Sequence, residues 1–312
     1  MLIRPLFSLF LSLILSIVIS NVSGKIVKRM VGGLEAPPGR FLHQVSLQYL
    51  TPYGCAYHHC GGSILDEKHI ITAAHCVTDL TTHKLDNVPI FVVAGTTDLR
   101  VKSSGIYRDI EYTFIPNSYT KNHPKFYFDD IAILRLTHPL PLKDQHQRIR
   151  AVNLPAANQY LSGYTNTQYA TMSGFGTYQQ TVNPYSGKIT KGGSSPVLKY
   201  TFGRINTLLP GYEHLCGANQ VCVTPWNPNK EGEDGGICQG DSGGPLVDES
   251  TNTLIGVVSS TLEECGQLSM FARVSSYLDF IKVATKGGFG QVDFVKSKFF
   301  NGPAMQESPF CI

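Results

Sequence analysis

Gly240-Asp241-Ser242-Gly243-Gly244-Pro245 sets one serine in a frame of glycines, and an apolar run begins directly behind it. Glycine reaches backbone conformations that other residues adopt only at a cost, so such a frame leaves the serine hydroxyl open to a ligand. The runs that follow, Pro245–Val247 and Leu254–Ser259, are short, rich in Val, Leu and Ile, and parted by turn residues. Runs of the same kind recur at Gln44–Tyr49, Ser63–Leu65, Ile90–Ala94, Ile131–Leu136 and Val197–Phe202. Gly, Pro and Asn punctuate them, as in an all-β sandwich or barrel. Helical periodicity is confined to Val274–Ala284, where Val274, Leu278 and Ile281 recur at three- and four-residue spacing. There is no internal repeat. Tyr178–Ser195 and Pro225–Gly236 read as long surface loops.

Of the 312 residues, 42% are hydrophobic and 16% charged, which excludes a disordered chain. The length suits one large all-β unit with additions. The formal net charge is +3, but residues 1–29 hold Arg4, Lys25, Lys28 and Arg29 and no acid. Without those four of the 26 basic residues, 22 face 23 acidic ones. A nucleic-acid binder would keep a basic surplus, so that class is disfavoured. Arg4 followed by the apolar run Leu6–Ile19 reads as a secretory signal. A membrane span needs roughly 20 apolar residues. Val22 and Gly24 suit a cleavage site, giving a signal peptide over 1–24. No later segment is long and apolar enough to cross a bilayer, so the chain is expected to be secreted, with no membrane partner. In an oxidising compartment the eight cysteines are disulfide candidates rather than metal ligands.

Two further motifs stand upstream. Thr72-Ala73-Ala74-His75-Cys76 sets a histidine among small residues behind an apolar run. Asp129-Asp130-Ile131-Ala132-Ile133-Leu134 opens an apolar strand with acid, and a buried carboxylate requires partners. Together the three motifs, in the order His, Asp, Ser, resemble the chymotrypsin-like (trypsin-like) serine peptidases. The resemblance runs from about Met30 to Ala284. It implies two six-stranded antiparallel β-barrels, 30–142 and 153–284, with a C-terminal helix. A C-terminal extension, 285–312, lies beyond the family's usual end.

The resemblance assigns roles residue by residue. Ser242 is the nucleophile, and a serine hydroxyl needs a base to take its proton. His75 is that base and then the acid for the leaving amine. Asp130 orients the imidazole; Asp129 is the rival, but Asp130 directly precedes the strand. The N–H groups of Gly240 and Ser242 form the oxyanion hole. Residues 25–29 read as an activation propeptide, cut after Arg29 by a trypsin- or dibasic-specific protease. The new Met30 amine then pairs with Asp241. Gly236, six residues before Ser242, lies at the base of the primary pocket and offers no charge. Thr261 and Ser269 line its walls, and Ser259 supports the catalytic Asp. The expected preference is for small or medium uncharged P1 residues, elastase-like, with chymotrypsin-like tolerance of Leu or aromatics as the competitor.

Cys60–Cys76 and Cys238–Cys265 match family bridges, and Cys216–Cys222 makes a short third. Cys55 and Cys311 either pair with each other or leave Cys311 to another chain. No cofactor and no metal is expected: adjacent side chains in Tyr57-His58-His59-Cys60 point to opposite faces of a strand. The expected partners are protein or peptide substrates, the activating protease and protein inhibitors, with the enzyme a monomer. The reading is thus a secreted serine endopeptidase made as a zymogen. Its alternative is an inactive homologue that acts by binding.

Overall fold

A computed structural model describes residues 33–79, 84–85, 89–123, 126–143, 147–159, 161, 169–182, 186, 188–206, 216–226, 235–262, 265, 268–288, 292–298 and 306–311, and the strand Ile26–Lys28. Residues 26–28, 120–123, 126–128, 180–182 and 189 are described by backbone alone. The signal segment, Arg29, Met30, Glu263 and Glu264 lie outside the described residues.

The apolar runs become strands whose inward side chains fill two closed sheets. The first holds β1 (Gln44–Leu50), β2 (Ala56–Ile64), β3 (His69–Thr72), β4 (Ile90–Ala94), β5 (Ile106–Pro116) and β6 (Ala132–Leu136). Their order is β6-β3-β2-β1-β4-β5, and β6 pairs back onto β5. Closure of this kind removes the unpaired strand edges that would invite aggregation. Val45, Leu47, Ile64, Val92, Ile133 and Leu134 have no solvent exposure and belong to one apolar core that extends from this sheet to the late helix. Each such side chain contributes roughly 1.5–3 kcal/mol by leaving water.

The second sheet holds β7 (Tyr169–Gly174), β8 (Lys199–Ile205), β9 (Gln220–Trp226), β10 (Pro245–Asp248), β11 (Thr253–Thr261) and β12 (Ser269–Arg273). The order is β7-β10-β11-β12-β9-β8, closed by β7 on β8. Met172, Val221, Val223, Leu246, Ile255 and Phe271 make its core. Two six-stranded antiparallel barrels are therefore present, as the motifs imply. A single turn of 3-10 helix, Val274–Tyr277, runs into α1 (Leu278–Thr285). Val274, Ile281 and Ala284 bury into the core of the first barrel, so the late helix leaves one barrel and packs on the other.

Each barrel carries one added strand. Leu34–Glu35 pairs with β8, and β13 (Val292–Lys296), from the C-terminal extension, pairs with residues 112–116 of β5. Ile26–Lys28, from the expected propeptide, pairs antiparallel with Gln179–Val182 within the first long loop. Polar links register the two barrels. Arg40 donates two hydrogen bonds to the Glu249 carboxylate, each 2.9 Å. Ser173 Oγ donates to Gln44 Oε1 at 2.7 Å.

Candidate active site

β3 ends at Thr72, and the chain turns at once through the short 3-10 segment Ala74–Cys76, which carries His75. The Cys60–Cys76 disulfide pins that turn to β2. β6 is the antiparallel neighbour of β3, with Ala132 opposite Thr72, so the residues before β6 arrive beside His75. His75 Nδ1–H donates to Asp130 Oδ2 at 2.8 Å, and the His75 backbone N–H donates to Asp130 Oδ1 at 2.9 Å. Ser259 Oγ, from β11 of the second barrel, donates to Asp130 Oδ2 at 2.6 Å. Asp130 is 1% exposed, and these three donors replace the water it has lost. Asp129 is turned elsewhere. Its carboxylate accepts from Tyr277 Oη at 2.8 Å, and its backbone sits at φ 52°.

The Ser242 turn is held from both sides. Gly61 N–H on β2 donates to the Ser242 carbonyl at 2.7 Å, and Gly243 N–H donates to the Val258 carbonyl at 2.8 Å. Gly240 has φ +94°, where a side chain would be strained. Among the described residues the N–H groups of Gly240 and Ser242 donate to no backbone carbonyl. The N–H groups of Asp241, Gly243 and Gly244 between and beside them are committed to carbonyls.

A family model described as Trypsin matches residues 30–281. The chain belongs to the trypsin family of serine peptidases. It is 33% identical over 264 residues to coagulation factor IX of Cavia porcellus, covering 81% of this chain and 80% of that protein. It is 29% identical over 265 residues to chymotrypsin-C of Mus musculus, covering 81% and 88% respectively. Among solved structures, human heparin binding protein superposes with a TM-score of 0.62 at 25% identity, covering 82% of this chain and 96% of that one.

Within this trypsin-family frame, Asp241 is fully buried. Its Oδ1 accepts from Gly176 N–H at 2.9 Å and its Oδ2 from Cys238 N–H at 2.9 Å. The carboxyl lies so close to Gly176 that a Cβ there would stand 2.5 Å from Asp241 Cγ. Burial pushes the Asp241 carboxyl up to about 7, against the pull of the two amide donors. Among the described residues the partners of this carboxyl are these two backbone amides.

Sequence reasoning passed over His58. Read there only as a structural residue, it is buried, with Nδ1 2.8 Å from Ser46 Oγ and Nε2 2.9 Å from the Gly240 carbonyl. Burial depresses it to about 4, with the Gly240 carbonyl opposing and His59 assisting. A neutral ring whose Nε2–H donates to Gly240 and whose Nδ1 accepts from Ser46 satisfies all the groups. Neighbouring His59 does point the other way, toward the Cys76 carbonyl at 3.2 Å. The alternation along β2 could have signalled this, but not which residue His58 would meet.

The pocket residues come together in part. Thr261 and Ser269 face each other across the β11–β12 ladder, and Thr261 Oγ1 donates to the Leu268 carbonyl at 3.4 Å. Ser269 is buried and Thr261 half-buried. Gly236 is buried, and Thr201 Oγ1 donates to the carbonyl of its neighbour Gly235 at 3.0 Å. Cys238–Cys265 ties the Gly236 segment to the turn beyond β11. Cys216–Cys222 also pairs, and Cys55 bonds to Cys311, which decides between the two alternatives left open by sequence. Cys60, His75 and Cys76 cluster closely, but both sulfurs are spent in a disulfide, leaving His75 as one donor. A separate cleft of about 540 Å³, lined by Phe41, Thr97 and Arg148 among others, contains none of the triad residues.

Proposed function

We propose that the chain is a secreted serine endopeptidase, made as an inactive precursor, that cuts proteins after small or medium uncharged residues. The observation that carries the reading is His75 Nδ1–H bonded to a buried Asp130 that Ser259 also holds. That arrangement fixes the imidazole tautomer, leaving Nε2 as the base. In the proposed reaction His75 Nε2 takes the Ser242 proton as Oγ attacks the scissile carbonyl. The N–H groups of Gly240 and Ser242 receive the developing oxyanion, and one such donor lowers the barrier by about 2.7–4 kcal/mol. His75 then protonates the departing amine, and water resolves the acyl-enzyme by the reverse sequence. Asp130 stabilises the imidazolium throughout.

Activation follows from Asp241. Cutting after Arg29 frees the Met30 amine, which enters beside the buried carboxyl and supplies its missing positive partner. The pairing fixes the turn that bears Gly240 and Ser242. The specificity proposal rests on Gly236: from Gly235 to Gly240 the pocket-side segment carries no charged side chain to attract Arg or Lys. Four disulfides suit an oxidising, extracellular setting.

The test is fluorophosphonate labelling of protein whose N-terminus is verified as Met30, followed by digestion of a mixed peptide library. Labelling that is lost in Ser242→Ala, with cuts after Ala, Val or Leu, supports the whole reading. Cuts after Arg or Lys keep the triad and overturn the role of Gly236. Absence of labelling overturns the enzyme and moves the inactive homologue to first place.

A further inference from the structure

The C-terminal extension is fastened at two places. β13 lies along β5, with Val292 opposite Pro116 and Lys296 opposite Tyr112. Residues 306–311 then meet the start of β2. The Ala56 N–H donates to the Pro309 carbonyl at 2.7 Å, and Cys311 N–H donates to the Ala56 carbonyl at 2.9 Å. The Cys55–Cys311 disulfide closes this contact covalently. Phe310 packs against a cluster that includes Phe41, Phe175 and Tyr200, and the Lys102 ammonium lies 6.0 Å from its ring centroid.

Two short routes lead from this fastening to one residue. Along the chain, His58 is three residues from Cys55 and two from Ala56, on the same strand. Through packing, Phe310 shares its cluster with Phe175, whose ring centroid is 5.7 Å from that of His58. His58 Nε2 in turn holds the Gly240 carbonyl at 2.9 Å. Gly240 has no side chain of its own to anchor it and sits at φ +94°. Its carbonyl lies in the peptide shared with Asp241, which His58 fixes from the first barrel. Its N–H lies in the adjoining peptide shared with Gln239, whose carbonyl accepts from the Thr177 N–H at 2.7 Å, so the His58 bond bears on that N–H through the Gly240 Cα.

We propose that the terminal segment 306–311 is a brace that positions the Gly240 oxyanion donor by holding β2, and thereby His58, in place. The catalytic part of this inference rests on the proposed peptidase reading; the mechanical part does not. Phe310 and Cys311 act as positioning residues, since neither belongs to the triad, the oxyanion donors or the proposed pocket. Release of the brace loosens the donor without unmaking the barrels, because both barrel cores lie elsewhere.

The experiment compares hydrogen exchange of the full-length chain with that of Phe310→Ala, which keeps the disulfide, and of Cys55→Ser/Cys311→Ser. Peptides spanning 56–61 and 238–244 are expected to exchange about tenfold faster in both variants, with 269–273 unchanged. Faster exchange confined to the tail and its disulfide hairpin would overturn the proposal. This readout needs no catalysis, so it answers even if the peptidase reading fails. In active protein, kcat is expected to fall about three- to tenfold with KM within twofold. Affinity for a peptidyl trifluoromethyl ketone, which presents an oxyanion, should fall in parallel, while a product-like peptide binds as before. Phe310→Leu should restore most of the loss. Unchanged kcat in both variants would equally overturn the brace.

Discussion

In the proposed precursor, Asp241 makes stability depend on pH in a direction opposite to that of ion-paired carboxylates. In the folded chain its carboxyl is pushed up to about 7, from an ordinary 3.8, because burial outweighs two amide donors. A folded-state value above the unfolded one means that the acid form is favoured by folding. The contribution is therefore complete below about pH 4, shrinks as pH rises, and is gone above about 7. The gap corresponds to about 4 kcal/mol across that window. The assay is urea unfolding at half-unit steps from pH 4 to pH 8.5, on precursor protected from cleavage by Arg29→Gln. The same series on Asp241→Asn isolates this one group from every other titrating carboxyl. The difference between the two series should slope downward through pH 4–7 and flatten above. At a urea dependence of about 2–3 kcal/mol per molar, the midpoint difference should move by about 1.5–2 M. If cleavage lets the Met30 amine pair with the carboxylate, as proposed, the slope should reverse, since protonating Asp241 then breaks a pair. Parallel curves for the precursor and its Asp241→Asn variant would refute the claim that this carboxyl is waiting for a cation.

Three further outcomes follow from single contacts. Ser259→Ala removes a 2.6 Å hydrogen bond from a carboxylate that is 1% exposed; kcat/KM should fall about ten- to hundredfold, at about 1.5–3 kcal/mol for a charged acceptor, and an unchanged value would remove Ser259 from the site. Gly236→Asp should turn peptide-library cleavage toward Arg and Lys at P1, and an unaltered preference would mean that Gly236 is not at the pocket base. Asp129→Ala gives up the Tyr277 hydrogen bond while keeping φ 52°, so thermal stability should drop by about 1–2 kcal/mol. Asp129→Asn, which tolerates that backbone and still accepts the bond, should be nearly neutral in the same thermal melt.

The three motifs of the proposed triad stand out because each has its own neighbours in sequence: small residues around His75, a strand behind Asp130, glycines around Ser242. The strands were legible where both faces are apolar, as at Ile90–Ala94, and less so where polar side chains find distant partners. β2 shows this. Sequence patterning marks only Ser63–Leu65, whereas the strand begins at Ala56 and carries Tyr57, His58 and His59. Nothing local says that His58 is buried, because its partners, Ser46 and Gly240, stand 12 and 182 residues away. β5 was hidden for a related reason. Tyr107, Arg108, Asp109 and Glu111 break its apolar pattern, and the strand is held by β4, β6 and β13 instead. The Cys55–Cys311 pairing stood in the sequence only as one of two alternatives, since nothing local links residues 256 positions apart.

The Ser242 turn lies in the second barrel by sequence, yet much of what fixes it comes from the first. Gly61 N–H holds the Ser242 carbonyl, His58 holds the Gly240 carbonyl, and Asp130 shares one oxygen between His75 and Ser259. The geometry of the Ser242 turn therefore depends on how the barrels are registered as well as on the second barrel's own bonds. That explains why the barrel-to-barrel links are built from directional groups. An apolar interface would hold the barrels together but tolerate sliding, whereas the Arg40–Glu249 pair and the Gln44–Ser173 bond are lost with small displacements. The C-terminal extension fits the same logic. It leaves α1, which already packs on the first barrel, adds a strand there, and ends by fixing the first residue of the strand that bears His58 and Gly61.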